Sequence, residues 1–544
     1  MTGITFQMLL DVDPEVYRQA ANAWDRLARM LDDRADGLRP AVKKISEVWD
    51  GEAGAAAEKH CDKLRRDVES AFVPITGIAQ ALSQHAADLA ELQAKARQLI
   101  KDGSDLHITI HSDGSMEIDP GHSNEWTARS MSSLVWRRDN LIKEAAELDA
   151  QTASRINEHA EATSGGSKGR VDRSSIPPIG TDPRKVKEWW DKLTPEQRRY
   201  LVTNYPELIG NLDGVPIEYR DIANRILLDQ EKDRLSGRLK EIDDRLAYIR
   251  SMIDQGRGRE LYPNEPNPLG AALAEIDRLN AERADISSKL SGLQQIEKRL
   301  NDSSLPRAYL IGLSTKGDGK VILSVGNPDE SDNVLTYVPG TGSELAKSRG
   351  DIDRIDAMFK DAKGADSKEQ TAVVLWLGYD APDHPIRDAG FDKYADAAVD
   401  PLSRFQTGLR ATHNGEQSFN TVLGHSYGST VIGHTATQKG IDADALIFVG
   451  SPGVDADKAS DLKGVPQTQV WATTAENDVI RRVPEFIHGN HPVDDDFGAQ
   501  VFTSDPGPNN ELKAHSSYWD DGNKARKNIA NIATNQGSKV EIAK

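Results

Sequence analysis

Cysteine is almost absent: Cys61 stands alone in 544 residues, which excludes an intramolecular disulfide and leaves no cysteine-based metal site. Long apolar runs are missing too, and none approaches the roughly 20 residues that would span a bilayer. Positive charge is in deficit. The 67 Lys and Arg against 86 Asp and Glu give a formal net charge of -19, which opposes binding to nucleic-acid backbones or anionic membrane surfaces. The opening stretch MTGITFQMLLDVDPEVYRQAANAW lacks a basic leader, a long apolar core and a small-residue cleavage signal, so no cleaved secretory peptide is expected. Composition, at 38% hydrophobic and 28% charged residues, is that of a soluble chain with several folding units. Its expected location is the cytoplasm, with leaderless export the alternative.

Apolar residues recur at 3-4 spacing over residues 14–100. One series is Tyr17, Trp24, Leu27, Leu31, Leu38, Val42, Ile45 and Trp49; a second runs from Ala57 through Cys61, Leu64, Val68, Ile75, Ile78, Leu82, Leu89, Leu92 and Leu99. The phase changes at Trp49-Asp50-Gly51, which predicts an antiparallel helical hairpin turning near Gly51. Pro40 and Pro74 are expected to kink these helices. His85, on the seam between Leu82 and Leu89, reads as a structural polar residue. The alternation around Ser112-Asp113-Gly114 predicts a small β-hairpin over 105–118, and Trp126 to about Ala162 reads as a further helix. Residues 1–162 thus form an N-terminal helical region.

Residues 163–183, TSGGSKGRVDRSSIPPIGTDP, are a Gly/Ser/Pro linker. Short helices follow, with Thr194-Pro195 as a helix start. Then come two charged heptad helices, Leu228 to Ile253 and Leu273 to Leu300, which predict a second helical hairpin within the segment 184–304, a candidate lid. From 305 to 544 the texture changes. AYLIGL, KVILSV, VLTYV, AVVLWL, FNTVLG, ALIFVG, TQVWATT and AQVFT are short apolar runs, several separated by helix-length intervals. The fold class is therefore α/β: a mainly parallel sheet with helices on both faces, preceded by all-α hairpins.

The pattern G-x-S-x-G occurs twice. Gly165-Gly166-Ser167-Lys168-Gly169 lies in the linker, with no strand behind Ser167 and no helix ahead. Gly424-His425-Ser426-Tyr427-Gly428 follows an apolar strand and precedes a helix-compatible run, the context of a nucleophile elbow, in which the two glycines permit close backbone approach. A serine nucleophile needs a base, and the base an orienting acid. In the chain order nucleophile, acid, histidine, the loop after TQVWATT offers Asp478, with Glu476 as its local rival; Asp444 lies at the wrong sheet edge. Of the later histidines, only His515 follows the last predicted strand, whereas His488 and His491 precede it and read as structural. The oxyanion N-H groups are expected from Tyr427 and from Thr341 in the Gly340-Thr341-Gly342 loop. His425, Tyr379 and Trp376 are candidate pocket residues, with core packing the alternative for Trp376. This chemistry calls for no metal and no cofactor.

WWDKL, PELIGNLDGVP, RDIANR, DNVLTYVPGTGS, VLWLGYDAP, LGHSYGST, VGSPG, END, FGAQVF and HSSYW together resemble an actinobacterial α/β-hydrolase family catalogued as a domain of unknown function. That resemblance, over about 185–530, implies a serine hydrolase with Ser426, Asp478 and His515 as its triad. Trp49-Asp50-Gly51 makes the N-terminal hairpin resemble the W-x-G proteins associated with type VII secretion, systems that usually also use a Y-x-x-x-[DE] tail. The expected activity is cleavage of a small-molecule carboxylic ester, with amide, peptide or thioester cleavage as variants. The expectation from another class is a docking or secretion-related protein with a weakly active hydrolase domain. The N-terminal hairpin would then serve a helical partner or self-association.

Overall fold

The computed structural model describes residues 4–28, 30–31, 52–162, 171–302, 304–384 and 387–543. It divides into two compact units, Met1–Asp172 with Leu193–Asn204, and Arg173–Lys192 with Tyr205–Lys544. The expected turn at Trp49-Asp50-Gly51, Pro40 and the Ser167 linker motif lie outside the described residues.

In the first unit α1 (Phe6–Asp11) begins at Thr5, whose Oγ1 accepts the Met8 N-H. The long helices α2 (Glu52–Asp105) and α3 (Glu125–Ala162) flank an antiparallel hairpin of β1 (Ile108–Ile110) and β2 (Met116–Ile118). Helix α2 continues through Pro74. Leu89, Leu92, Ala96 and Leu99 of α2 meet Leu134, Leu141 and Ala145 of α3, together with Phe6, Leu9, Ile108 and Ile110. His85 is buried, with Nδ1 2.9 Å from Thr152 Oγ1; burial lowers its pKa against the opposing pull of Asp149. Trp24, expected on the inner stripe, is 36% exposed, because Ala21 and Ala28 take the inner face instead. Thr194 starts the helix Pro195–Asn204 by a reciprocal cap: its Oγ1 accepts from Gln197 N, and its own N-H donates to Gln197 Oε1.

In the second unit the short helices Pro183–Asp191 and Pro206–Ile209 precede the helical hairpin α4 (Ile217–Asp254) and α5 (Pro268–Leu300). Leu235, Ile242, Leu246 and Ile249 pack in one core with Leu279, Ile286 and Leu293, while Leu273 stays exposed. Forked ion pairs cross the seam: Arg245 to Glu275 at 3.1 and 3.0 Å, and Arg238 to Glu282 at 2.8 and 3.2 Å. The strands are β3 (Ala308–Ser314), β4 (Lys320–Val325), β5 (Asn333–Val338), β6 (Thr371–Leu377), β7 (Phe419–His425), β8 (Ala445–Val449), β9 (Val470–Thr473) and β10 (Gln500–Val501). Their spatial order is β10-β9-β8-β7-β5-β6-β4-β3. β3, β4 and β6 pair antiparallel, and the pairs from β6 to β10 are parallel. Every residue of β5, β6, β8 and β9 is buried, as expected of strands covered on both faces.

Helices α6 (Arg349–Ala365), α7 (Lys393–Thr412), α8 (Tyr427–Gln438) and α9 (Lys524–Ala533) complete the layers. α6 packs with α9 and α7 with α8, and right-handed crossovers put the two pairs on opposite faces. After β5 the chain crosses to β6 on one side and then returns to β7 on the other. The carboxyl ends of β5 and β7 therefore flank the crevice where α/β sheets place ligands.

The base of α4 lies on the edge strand β3. Asp221 Oδ1 accepts from Leu310 N at 2.7 Å, Asn224 Nδ2 donates to Leu310 O at 3.1 Å, and Asn211 exchanges two 3.0 Å bonds with Leu313. These side chains pair backbone groups that an edge strand would otherwise leave open. α4 starts on Asp329, whose buried carboxylate accepts Ile217 N-H at 2.7 Å and the Thr412 hydroxyl at 2.5 Å.

Burial lifts the Asp329 carboxyl to about 7. The folded chain then holds a proton that the unfolded chain releases from about pH 4, so this group's contribution is full below that pH and is lost as pH rises to about 7. Asp329→Asn cannot ionise. Its unfolding free energy relative to the parent is expected to rise by roughly 3 kcal/mol between pH 5 and pH 8, measured on the urea transition of this unit; a pH-independent difference would refute the assignment.

Candidate active site

The turn between β7 and α8 places Ser426 at φ 55 and ψ -130, a left-handed conformation that few non-glycine residues adopt. Ser426 N-H donates to Val449 O at 3.0 Å, and the Ser429 hydroxyl donates back to Ser426 O. Three glycines make the turn possible. A Cβ on Gly424 would lie 2.6 Å from Ser429 N, one on Gly428 2.1 Å from Val338 O, and one on Gly340 2.7 Å from the Ser426 Cβ. Ser426 is left half-exposed above the N-terminus of α8, where the helix dipole favours negative charge.

Gly340 comes from the loop after β5, and its missing side chain would also stand 3.2 Å from Tyr427 N. The loop is held from two sides: Gly342 N-H donates to Pro382 O at 2.8 Å, and the buried Tyr379 hydroxyl to Pro339 O at 2.7 Å. Among the described residues, neither the Thr341 nor the Tyr427 N-H meets an acceptor. Trp376 is buried and stacks on Tyr379 with ring centres 6.1 Å apart; it also lines a cavity of about 410 Å³ together with Arg404 and Phe405.

Asp478 and His515 stand together. His515 Nδ1 lies 2.9 and 3.0 Å from the two oxygens of the buried Asp478 carboxylate. Asp478 also accepts the Ile480 N-H at 2.9 Å and the Tyr518 hydroxyl at 2.5 Å, while Tyr518 accepts from Ala475 N at 2.9 Å. Burial and the Asp478 charge raise the Tyr518 pKa, keeping this hydroxyl a donor. Glu476 is exposed, and Asp444 binds Arg410 and the Asn420 N-H near the start of β7.

His425 ties the two halves of the site. Its Nε2 donates to His515 O at 2.8 Å, and the two imidazoles are 4.9 Å apart. Burial first, then the neighbouring His515, depresses its pKa well below the ordinary histidine value, so it is a neutral donor rather than a base. His491 is half-buried, with one ring nitrogen 3.3 Å from Ser451 O and the other 2.9 Å from Val483 O. His488 is buried and donates from Nε2 to Ala389 O at 2.6 Å. The residue that sequence reasoning passed over is Tyr518. Its signal was the spacing in HSSYW, three positions after His515, which puts it back under the same loop.

The alpha/beta hydrolase family model matches residues 315–488, and a WXG100 like domain model matches residues 11–118. The uncharacterized protein Rv2079 of Mycobacterium tuberculosis is 30% identical over 396 residues, 66% of this chain and 57% of its own length. Two uncharacterized proteins, Rv0963c of Mycobacterium tuberculosis and Mb0988c of Mycobacterium bovis, are each 33% identical over 220 residues, 38% of this chain and 81% of their own. The chain belongs to the alpha/beta hydrolase family. It spans a little over half the length of Rv2079, and its N-terminal helical unit carries the WXG100-like match beside the hydrolase one.

Gly428→Ala drives a methyl group into the β5 carbonyl. It is expected to lower the stability of the hydrolase unit by at least about 2 kcal/mol in urea unfolding. Gly364→Ala on α6, whose added Cβ meets nothing within 4 Å, serves as the control and is expected to leave stability unchanged or higher.

Proposed function

We propose that the hydrolase unit cleaves a carboxylic ester through a serine acyl-enzyme. The observation that carries this reading is Ser426 held in a left-handed turn between strand and helix, a conformation with a cost of order 1–3 kcal/mol that packing must offset. In the proposed mechanism His515 keeps its Nδ1 proton on Asp478 and presents the lone pair of Nε2 to the serine hydroxyl. Ser426 Oγ attacks the ester carbonyl as His515 takes its proton. Asp478 stabilises the imidazolium without itself being protonated. The Tyr427 and Thr341 N-H groups receive the developing oxyanion. His515 then protonates the departing alcohol, and water enters by the reverse sequence to release the acid.

Tyr518 adds a fixed donor on Asp478 Oδ2, which holds Asp478 in the orientation His515 requires. Tyr379 has the same role for the oxyanion loop. No metal or cofactor enters this scheme.

For the first unit we propose protein docking, supported by its WXG100-like match, with type VII export as the corresponding route out of the cell. Among the described residues no helix is long and apolar enough to cross a membrane. The chain's one Y-x-x-x-[DE] spacing, Tyr379 to Asp383, falls on the buried tyrosine under the oxyanion loop and so supplies no exposed export tail.

A fluorophosphonate probe should label the parent at Ser426, and Ser426→Ala should abolish the label. Asp478→Asn should slow ester hydrolysis by roughly 10³–10⁴-fold with the fold intact. Absence of label on a folded parent would rule out an active serine. Rates across matched ester, thioester and amide substrates of graded acyl length test the substrate class, with the ester series expected fastest.

A further inference from the structure

Away from Ser426, four side chains from four segments converge beside the far end of α8. His434 comes from α8 itself, Asp392 precedes α7, Asp455 lies in the loop after β8, and His488 ends the short helix Glu485–His488. Both imidazoles are buried, at 2% and 3% exposure. Their outer nitrogens are engaged: His434 Nδ1 donates to Asp396 Oδ1 at 3.0 Å, and His488 Nε2 to Ala389 O at 2.6 Å. In these tautomers the inner nitrogens, His434 Nε2 and His488 Nδ1, carry lone pairs, and neither has a hydrogen-bond partner.

What they face is negative charge. His488 Nδ1 is 3.3 Å from Asp392 Oδ1, and His434 Nε2 is 3.9 Å from the same oxygen and 3.6 Å from Asp455 Oδ2. Lone pairs turned on carboxylate oxygens repel unless a proton or a metal cation lies between them. Bonds of about 2.1 Å to a tetrahedral ion put neighbouring donors about 3.4 Å apart, close to the separations seen here.

We propose that His434, His488, Asp392 and Asp455 form a structural site for one divalent transition-metal ion, zinc being the best match. Two imidazoles and two carboxylates suit zinc's tetrahedral preference, and the two carboxylates neutralise its charge. Asp396 behind His434 and the Ala389 carbonyl behind His488 are the outer partners that fix ring orientation in such sites. Among the described residues no three such side chains already enclose a metal position. Closure needs the half-exposed carboxylates of Asp392 and Asp455, 52% and 54% exposed, to swing in toward the fixed histidines. The same exposure supplies the entry path.

The ion would brace the elbow from behind. Tyr427, next to Ser426, donates its hydroxyl to Phe391 O at 2.6 Å and meets the His488 ring edge-on at 5.6 Å. The segments that the ion clamps are therefore those that hold Tyr427.

The test uses the full-length, tag-free chain, stripped with chelator and titrated with cobalt(II) and zinc(II). One ion per chain is expected, with the intense visible absorption of four-coordinate cobalt. Asp392→Asn with Asp455→Asn, both surface-accessible changes, should weaken binding by at least about 100-fold while circular dichroism stays that of the parent. Asp396→Asn should keep the stoichiometry with affinity reduced roughly 10–100-fold. A parent that retains no ion at micromolar metal overturns the proposal, as does a double variant that binds as tightly as the parent.

Discussion

The hydrolase unit depends on one backbone constraint, the left-handed turn at Ser426. A serine there can be held only if the chain on all sides approaches without side chains, and the glycines at 424, 428 and 340 supply that room from two different loops. The constraint thereby links β5 to β7 directly. Bringing Gly340 against Ser426 also brings its backbone beside the Tyr427 N, 3.2 Å from the Gly340 Cβ position, so the strained turn and the approach of the β5 loop are two aspects of one close contact.

Around that contact the sheet acts as a ruler. Parallel strands β5, β7, β8 and β9 end at one edge, and each hands its loop to the crevice at the switch point between β5 and β7. Asp478 is fixed by the Ile480 N-H and Tyr518, His515 by Asp478, and the His515 carbonyl by His425, which is itself next in chain to Ser426. A chain of hydrogen bonds thus runs from the elbow through the histidine loop to the acid loop. Rigid elements held in this way favour pre-organised donors, which stabilise charge without reorganisation at the moment of reaction.

Much of this architecture was legible in the residues. Continuous apolar runs marked the central strands because both of their faces are covered, and the strand-to-helix context separated GHSYG from the linker copy. The α/β class and the hairpin of α4 and α5 were equally plain. Side-chain facing was harder. The 3-4 spacing over residues 14–28 fits two neighbouring stripes, and the one chosen put Trp24 inside where Ala21 and Ala28 lie. Leu273 was likewise assigned to a seam that it misses. Residues remote in sequence were not readable as neighbours: His434, His488, Asp392 and Asp455 meet only through the fold. Tyr518 was visible within HSSYW, but its hydrogen bond to Asp478 depends on how the loop turns.

The asparagine and aspartate side chains that meet β3 bear on where the catalytic body of the molecule begins. A fragment started at the first strand, near Arg307, would satisfy the sheet's topology and still leave the Leu310 and Leu313 backbone groups without Asp221, Asn224 and Asn211. Such a fragment would offer a bare β-edge to its own copies, a template for strand-to-strand association. The smallest self-sufficient hydrolase is therefore one that retains the preceding helices, and the insertion counts as part of the sheet's boundary rather than as an appendage to it.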